Sequence, residues 1–179
     1  MDETIRYGFV STDLAALLVA TSAKGLIAVL MREHPDDEAL AADLAKRHRD
    51  ARLLLGGADV RVAVEAVTGF VEQPTRNIEM PLDIRATGFT AAVYRAVLGI
   101  PFGETHTFGE VAAAAGSPGA ARAVGSACTR NPIEFAIPCH RVVRSDGRWS
   151  GGGAWGDWRQ SIIVGREAAA LGAQTTPVT

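Results

Sequence analysis

Two different apolar rhythms run along the chain. Leu14 to Val19 and Leu26 to Met31 are short, branched, apolar runs, and Ser22-Ala23-Lys24-Gly25 between them is turn chemistry. The first 31 residues therefore read as strands, with a β-hairpin at their end. From Asp36 to Arg49 the rhythm becomes helical. Leu40 and Leu44 sit four apart among alanines, with acids in the first turn and bases in the last, as the helix dipole favours. Val60, Val64, Val67 and Val71 predict a second helix over 59–72. Pro74, Pro81 and the stretch to Gly88 predict an irregular connection, with a domain boundary near Arg85–Thr87.

The second half reads as helical and rich in loops. Phe89, Val93, Val97 and Leu98 share one helical face, which Gly99 and Pro101 terminate. Thr107-Phe108-Gly109-Glu110 is a capping box, in which the Thr hydroxyl and the Glu carboxylate each satisfy one orphan N–H. That helix runs through Ala115 and stops at Gly116. Ser117 is read as the cap of the next helix, Gly119 to Cys128, with Pro118 at a position where a missing N–H costs nothing. Two short helices joined by a tight glycine-containing turn predict a helix-turn-helix.

Composition narrows the function classes. Of 179 residues 47% are hydrophobic and the net charge is only −2, which excludes a disordered chain and indicates one domain or two small ones. No apolar run reaches the ~18 residues that a membrane span needs. The start Met-Asp-Glu-Thr-Ile-Arg lacks the plan of a signal peptide, so the expected location is the cytoplasm. Charge is uneven: residues 1–90 hold 10 basic and 14 acidic side chains, residues 91–179 hold 8 and 6, and all 8 are Arg. An Arg-rich face in the second half could meet phosphates. Cys128 and Cys139 make no disulfide framework, and without Cys-x-x-Cys or His-x-x-x-His spacing no metal is expected. Nothing calls for a cofactor.

The second helix of the pair carries an unusually bare face: Ala120, Ala121, Ala123 and Gly125 with a single Arg122. A reader of the major groove presents several polar side chains. A bare helix suits close approach of backbone to a widened minor groove, and suits a tight helix–helix contact equally well. Downstream, an apolar, strand-like run from Asn131-Pro132 ends at Pro138 and delivers Cys139, followed by His140 and Arg141. Cations beside a thiol favour the thiolate, which is the nucleophilic form. On an extended chain neighbouring side chains point to opposite faces, so a turn or a bridging water is needed to couple Cys139 to His140.

Pro138-Cys139-His140-Arg141-Val142 resembles the active-site signature of the O6-alkylguanine-DNA alkyltransferases, also called methylated-DNA–protein-cysteine methyltransferases. Pro101-Phe102-Gly103-Glu104, Thr107 to Ala112, Ala121 to Gly125, Asn131-Pro132 and Ser150-Gly151 resemble further segments of that family in its order. Arg6-Tyr7 and Pro81 to Arg85 resemble in particular the C-terminal half of bacterial Ada proteins.

The resemblance implies an α+β fold: a ribonuclease-H-like N-terminal α/β domain over 1–86, a helical, winged-helix-like domain with the helix-turn-helix over 87–172, and a flexible tail over 173–179. It implies irreversible, single-turnover transfer of an alkyl group from guanine O6 in duplex DNA to Cys139. His140, through a water, would take the thiol proton, and Glu167 would orient the imidazole. Arg122 would fill the stack vacated by the flipped base, beside Phe108 and the bare face of Ala120, Ala121, Ala123 and Gly125. Asn131 would tie the recognition helix to the active-site segment, and Val142 and Ser150 would contact the guanine. Arg141 reads as structural, and Arg130 and Arg144 as phosphate contacts. The implied partner is double-stranded DNA carrying O6-alkylguanine, with O4-alkylthymine a further candidate lesion; the implied protein is a monomer, near the bacterial nucleoid.

Four residues depart from the family's pattern. Phe108 stands where a Tyr is usual, Glu134 where a small residue or Pro is usual, Trp149 precedes Ser150, and Gly152-Gly153 replaces a Tyr. Two other readings compete: a non-catalytic binder of alkylated DNA, and an Ada-like transcription regulator. The presence of Cys139 weighs against the first.

Overall fold

The computed structural model describes residues 3–149 and 156–174. They form a mixed α+β fold in two compact units. The first comprises Met1–Glu72, Ile78–Ile84 and Pro132–Ala136; the second comprises Gln73–Asn77, Arg85–Asn131 and Ile137–Thr179. Both therefore include short segments taken from across the linear sequence. Among the described residues no helix is long and apolar enough to cross a membrane.

The first unit is built on a four-stranded sheet in the order β3-β2-β1-β4. Strands β1 (Glu3–Ser11), β2 (Ala16–Ser22) and β3 (Gly25–Arg32) are antiparallel neighbours, and β4 (Ala51–Leu55) lies parallel to β1. The expected hairpin is β2–β3. Ala16 to Thr21 are all buried, which is why this strand reads as an unbroken apolar run rather than an alternation. Helix α1 (Asp37–Arg47) is capped by Asp36, whose carboxylate accepts from the Ala39 N–H at 2.9 Å. It buries Leu40 and Leu44 in a core with Ile5, Leu18, Ile27 and Leu30; such burial stabilises by roughly 1.5–3 kcal/mol per leucine. Helix α2 (Ala58–Glu72) packs on β1 and β2, with Val64 and Val60 over Gly8. Strand β4 had no expectation behind it. Its five residues are half-buried or exposed and lack alternation, so only its pairing to β1 defines it.

The outer edge of β3 is covered by two segments remote in sequence. Leu26 donates to Pro81 O and accepts from the Asp83 N–H, both at 2.8 Å, and Val29 donates to Pro132 O at 2.9 Å. These pairings occupy an edge that would otherwise offer unpaired groups to other chains. They also correct the strand expected before Cys139. Residues 133–137 make one bridge, Ile133 to Val29. Then Phe135, at φ 66°, turns the chain, with the Ala136 N–H bonded to Glu134 O at 2.8 Å. That is a γ-turn, a rare and strained conformation for a bulky residue. Buried Phe135, packed near Phe70, holds it in place.

The second unit is mostly helical. Helix α3 (Gly88–Leu98) buries Val93, Tyr94 and Val97, whereas Leu98, expected on this face, is exposed. A two-residue strand β5 (His106–Thr107) pairs in parallel with β6 (Val142–Val143). Helix α4 (Phe108–Ala114) opens on the expected capping box: Thr107 Oγ1 accepts from Glu110 N at 3.2 Å and Glu110 accepts from Thr107 N at 2.6 Å. It ends in a Schellman motif at Gly116 (φ 76°), with Ser117 N–H on Ala112 O and Gly116 N–H on Ala113 O. Helix α5 (Ala121–Thr129) starts later than expected, and Ser117 does not cap it. Gly119 at φ 88° breaks the helical path, and Ser117-Pro118-Gly119 instead forms a turn closed by Ala120 N–H on Ser117 O. The last helix, α6 (Gly156–Gln174), extends into the region expected as a tail; 175–179 lie outside the described residues.

Gly25 offers a test of the edge pairing. Its φ is 134°, and a Cβ there would stand 2.1 Å from Pro81 O. Gly116 has a comparable left-handed φ of 76° with open space around it. Gly116→Ala should therefore cost only the conformational strain, about 1–2 kcal/mol. Gly25→Ala must in addition displace backbone, and should cost clearly more in urea unfolding. Equal losses for the two variants would contradict the close packing at Pro81.

Candidate active site

Cys139 is reached through two consecutive tight turns. Pro138 (φ −78°, ψ 60°) centres an inverse γ-turn in which Cys139 N–H bonds Ile137 O at 2.7 Å. Cys139–Arg141 then form a single 3-10 turn, closed by Arg141 N–H on Pro138 O and Val142 N–H on Cys139 O. The chain here is thus a turn, one of the two alternatives that the sequence left open. Side chains of a 3-10 turn are spaced three to a turn. Cys139, His140 and Arg141 therefore fan out in three directions, and all three are buried.

Glu167 gathers this turn from α6. Its side chain is fully buried and its carboxylate has four partners. His140 Nε2 lies 2.7 Å from Oε1; Arg141 Nε donates to Oε2 at 2.9 Å and Nη2 to Oε1 at 3.0 Å; the Gly103 N–H donates to Oε2 at 3.0 Å. Arg141 in turn donates to Ile100 O at 3.0 Å and Asn77 Oδ1 at 2.7 Å, and its guanidinium lies 5.5 Å from the centre of the Phe102 ring. A buried carboxylate is tolerable only when so compensated. Burial alone would raise the Glu167 pKa, but the hydrogen bonds from His140 and Arg141 and the Arg141 charge outweigh it and bring it down to about 2. Burial lowers the pKa of His140, as does the Arg141 charge, and the pull of Glu167 does not reverse this. His140 is therefore a neutral imidazole at neutral pH.

The other expected site residues fall in two groups. Asn131, at the end of α5, is buried and donates from Nδ2 to Ile137 O at 2.9 Å, with Cys139 Sγ at 3.5 Å. It bridges the end of α5 to the turn that carries the thiol. Val142 is fully buried in β6. On α5, Val124 and Ala127 face inward, where Tyr94 Oη donates to Ala127 O at 3.1 Å, while Arg122 and Ala123 are exposed and Ala120, Ala121 and Gly125 half-buried. The Phe108 ring packs 3.8 Å from the place a Gly125 Cβ would take, so the bare helix serves the α4–α5 contact on one side and is exposed on another. Arg130 and Arg144 are exposed, and Arg144 and Arg148 flank Asp146. Ser150 and the Gly152-Gly153 pair lie outside the described residues. Glu134 is buried in the first unit, its N–H on Val29 O at 3.3 Å.

Sequence reasoning missed four contributors: Asn77, the Ile100 carbonyl, the Gly103 N–H and Gln160. Gln160 on α6 is buried and donates from Nε2 to His140 O and Val142 O, each at 2.9 Å. The available signal was a polar residue two helical turns before Glu167 on a face that includes Ile163. Among the described residues no cluster of His, Cys, Asp and Glu could hold a metal ion.

Comparison with known proteins shows what the chain is similar to. Residues 88–169 match the family described as 6-O-methylguanine DNA methyltransferase, DNA binding domain. The chain is 38% identical over 164 residues to the bifunctional transcriptional activator/DNA repair enzyme Ada of Escherichia coli, covering 92% of this chain and 46% of that protein. It is 43% identical over 101 residues to a methylated-DNA–protein-cysteine methyltransferase of Mycobacterium bovis, covering 56% of this chain and 61% of that one. The chain spans about half the length of the Ada relatives it matches. Its fold is similar to that of the Mycobacterium tuberculosis protein OGT in a complex with DNA, with a TM-score of 0.76, 29% identity, and coverage of 92% and 94%.

The ionic arrangement fixes a pH dependence of stability. Glu167 is held from 4.5 down to about 2, so its contribution is complete above pH 4.5 and is lost as pH falls toward 2. His140 is lowered below 6.5, so acid again favours the unfolded chain, starting near pH 6.5. Urea stability should be level from pH 7 to 8, decline below about 6.5, and fall again below about 4.5. The carboxylate's linkage contribution is on the order of 3 kcal/mol, so the gap between wild type and Glu167→Gln should shrink by about that much from pH 7 to pH 2.5. A gap independent of pH would contradict the arrangement.

Proposed function

We propose that the chain is an O6-alkylguanine-DNA alkyltransferase that repairs DNA by transferring an alkyl group from guanine O6 in a duplex to its own Cys139. The observation that carries this reading is the buried series Cys139, His140, Glu167, in which a neutral imidazole is held by a carboxylate one residue from a thiol. This is the arrangement of an activated nucleophile: a base beside it, and a third group orienting the base. With Nε2 on Glu167, Nδ1 is the nitrogen that accepts the proton. Adjacent side chains of the 3-10 turn diverge, so the proton passes from Cys139 through a water. The thiolate then attacks the alkyl carbon, the C–O6 bond breaks, and guanine leaves with its electrons and regains a proton. The thioether has no second thiol placed to resolve it, so each molecule acts once.

DNA is met by the second unit. A base inside a duplex must be extruded before chemistry on it can occur. Exposed Arg122 on a bare helix fits the vacated stack, while Ala120, Ala121, Ala123 and Gly125 let the backbone of α5 approach a widened minor groove. Asn131 holds α5 and the thiol-bearing turn in one frame. The carbonyl of Val142, and Ser150, would contact the base, and Arg130 and Arg144 the phosphates. Finer fold assignments belong to the same reading. The 3-2-1-4 sheet order with a single parallel pair supports a ribonuclease-H-like first domain, and the helix-turn-helix with the short β5–β6 pair supports a winged-helix-like second one. The working location is the cytoplasm, at the nucleoid.

The decisive test mixes the protein with a duplex carrying one O6-methylguanine and weighs the products. One methylene should appear on the Cys139 peptide, one per molecule, and Cys139→Ser should abolish the gain while retaining duplex affinity. Turnover beyond one equivalent, or methylation elsewhere, would overturn the reading.

Phe108 yields a second prediction. A phenol at this place can donate to the flipped base and phenylalanine cannot. One neutral hydrogen bond is worth roughly 0.5–1.5 kcal/mol, so Phe108→Tyr should speed transfer about two- to tenfold. Phe108→Ala should cripple it, since the ring bulk is lost. The second-order rate constants of the three proteins decide, and a Tyr variant no faster than wild type would show that the site has re-formed around Phe108.

A further inference from the structure

We propose that Gln160 is a positioning residue that sets how the site reads the guanine base. The inference rests on the alkyltransferase reading above and adds to it a residue that reading does not use. Gln160 is 1% exposed on α6 and donates from one nitrogen to two backbone carbonyls, His140 O and Val142 O, each at 2.9 Å. A primary amide nitrogen has two protons, and both are spent here. The two carbonyls straddle Arg141, so a single rigid, planar group fixes where the thiol-bearing turn ends and where the Val142 carbonyl points. A helix face that also buries Ile163 would accept an apolar side chain of the same volume, so packing alone does not require an amide here.

On the alkyltransferase reading, the Val142 carbonyl is the end of this arrangement that meets the base. A carbonyl oxygen has two lone pairs, so the bond from Gln160 leaves room for a second donor. A backbone carbonyl can only accept. Guanine alkylated at O6 has lost the proton on N1, and the donor left on that edge is the exocyclic amino group at C2. Gln160 therefore aims the Val142 carbonyl at the 2-amino group, and the geometry of that contact depends on a side chain that never touches the base. The consequence is a preference for guanine over the same ring without the amino group.

The test compares duplexes carrying O6-methylguanine and O6-methylhypoxanthine, which differ only in that amino group. Single-turnover rates are measured for the wild type, Gln160→Met, Gln160→Glu and Gln160→Lys. The wild type should react faster with O6-methylguanine. Gln160→Met keeps the length without donors, and should lose about three- to tenfold on O6-methylguanine, the effect of one hydrogen bond, while the hypoxanthine rate hardly moves. Gln160→Glu keeps the shape without the donors and should likewise lose the preference, which serves if the Met variant fails to fold. Gln160→Lys, with several donors on one nitrogen, should retain it. A purely structural role would slow both substrates in proportion; an unchanged ratio in a folded Met or Glu variant, or a wild type indifferent to the amino group, overturns the proposal. A wild type that transfers from neither base overturns the alkyltransferase reading itself.

Discussion

A carboxylate with no access to water must be surrounded by donors, and the second unit is organised around meeting that requirement at Glu167. Four donor nitrogens converge on it, one from the imidazole of His140, two from Arg141 and the backbone N–H of Gly103. Each donor recruits a different stretch of chain. Arg141 also holds Ile100 O and Asn77, and Gly103, at φ 77°, lies so close to α6 that a Cβ would stand 2.4 Å from Leu171. Removing one partner of such a buried pair costs roughly 3–5 kcal/mol, because the remaining charge stays behind without compensation. The same arrangement that makes the unit cohere also sets the protonation state of the residue beside the thiol. Stability and chemistry are therefore coupled at one carboxylate.

In the second unit the buried turn of Cys139 and the exposed face of α5 lie at the two ends of a short connection. Cys139, His140 and Arg141 sit in a turn whose side chains are buried, while α5 offers an exposed Arg122 and small residues. Asn131 joins the two: its backbone closes the end of α5, with its N–H on Cys128 O, and its amide reaches Ile137 O and the Cys139 sulfur. A displacement of α5 would thus be felt at the thiol through one side chain.

How much of this was legible in the sequence follows from the range of each interaction. The Asp36 cap, the Thr107–Glu110 capping box and the glycine stop at Gly116 are local, and each was readable from adjacent residues. Glu167 was found only through the family resemblance, since its partners lie 26, 27 and 64 residues away. Strand β4 has no alternation of its own and exists because β1 pairs with it. The run before Cys139 has the composition of a strand, but two pairings to β3 and the turn at Phe135 end it early. Ser117 and Pro118 read as a helix start, and the left-handed Gly119 overrides them. Asn77 gave no local signal and Gln160 only that of a polar residue on the face of α6 that includes Ile163, because both bond groups far along the chain.

Burial and the Arg141 charge keep His140 neutral, and the Glu167 carboxylate, which can only accept, fixes its proton on Nε2, so that Nδ1 is the nitrogen left to receive a proton. Nitrogen-15 NMR of the His140 ring across pH reads this directly. The ring should be neutral at pH 7 with its proton on Nε2, and should stay neutral on going below pH 6.5, the ordinary value for histidine. In Glu167→Gln the ring should lose its fixed tautomer. A ring that carries its proton on Nδ1 at pH 7, or that is already charged there, would contradict the account.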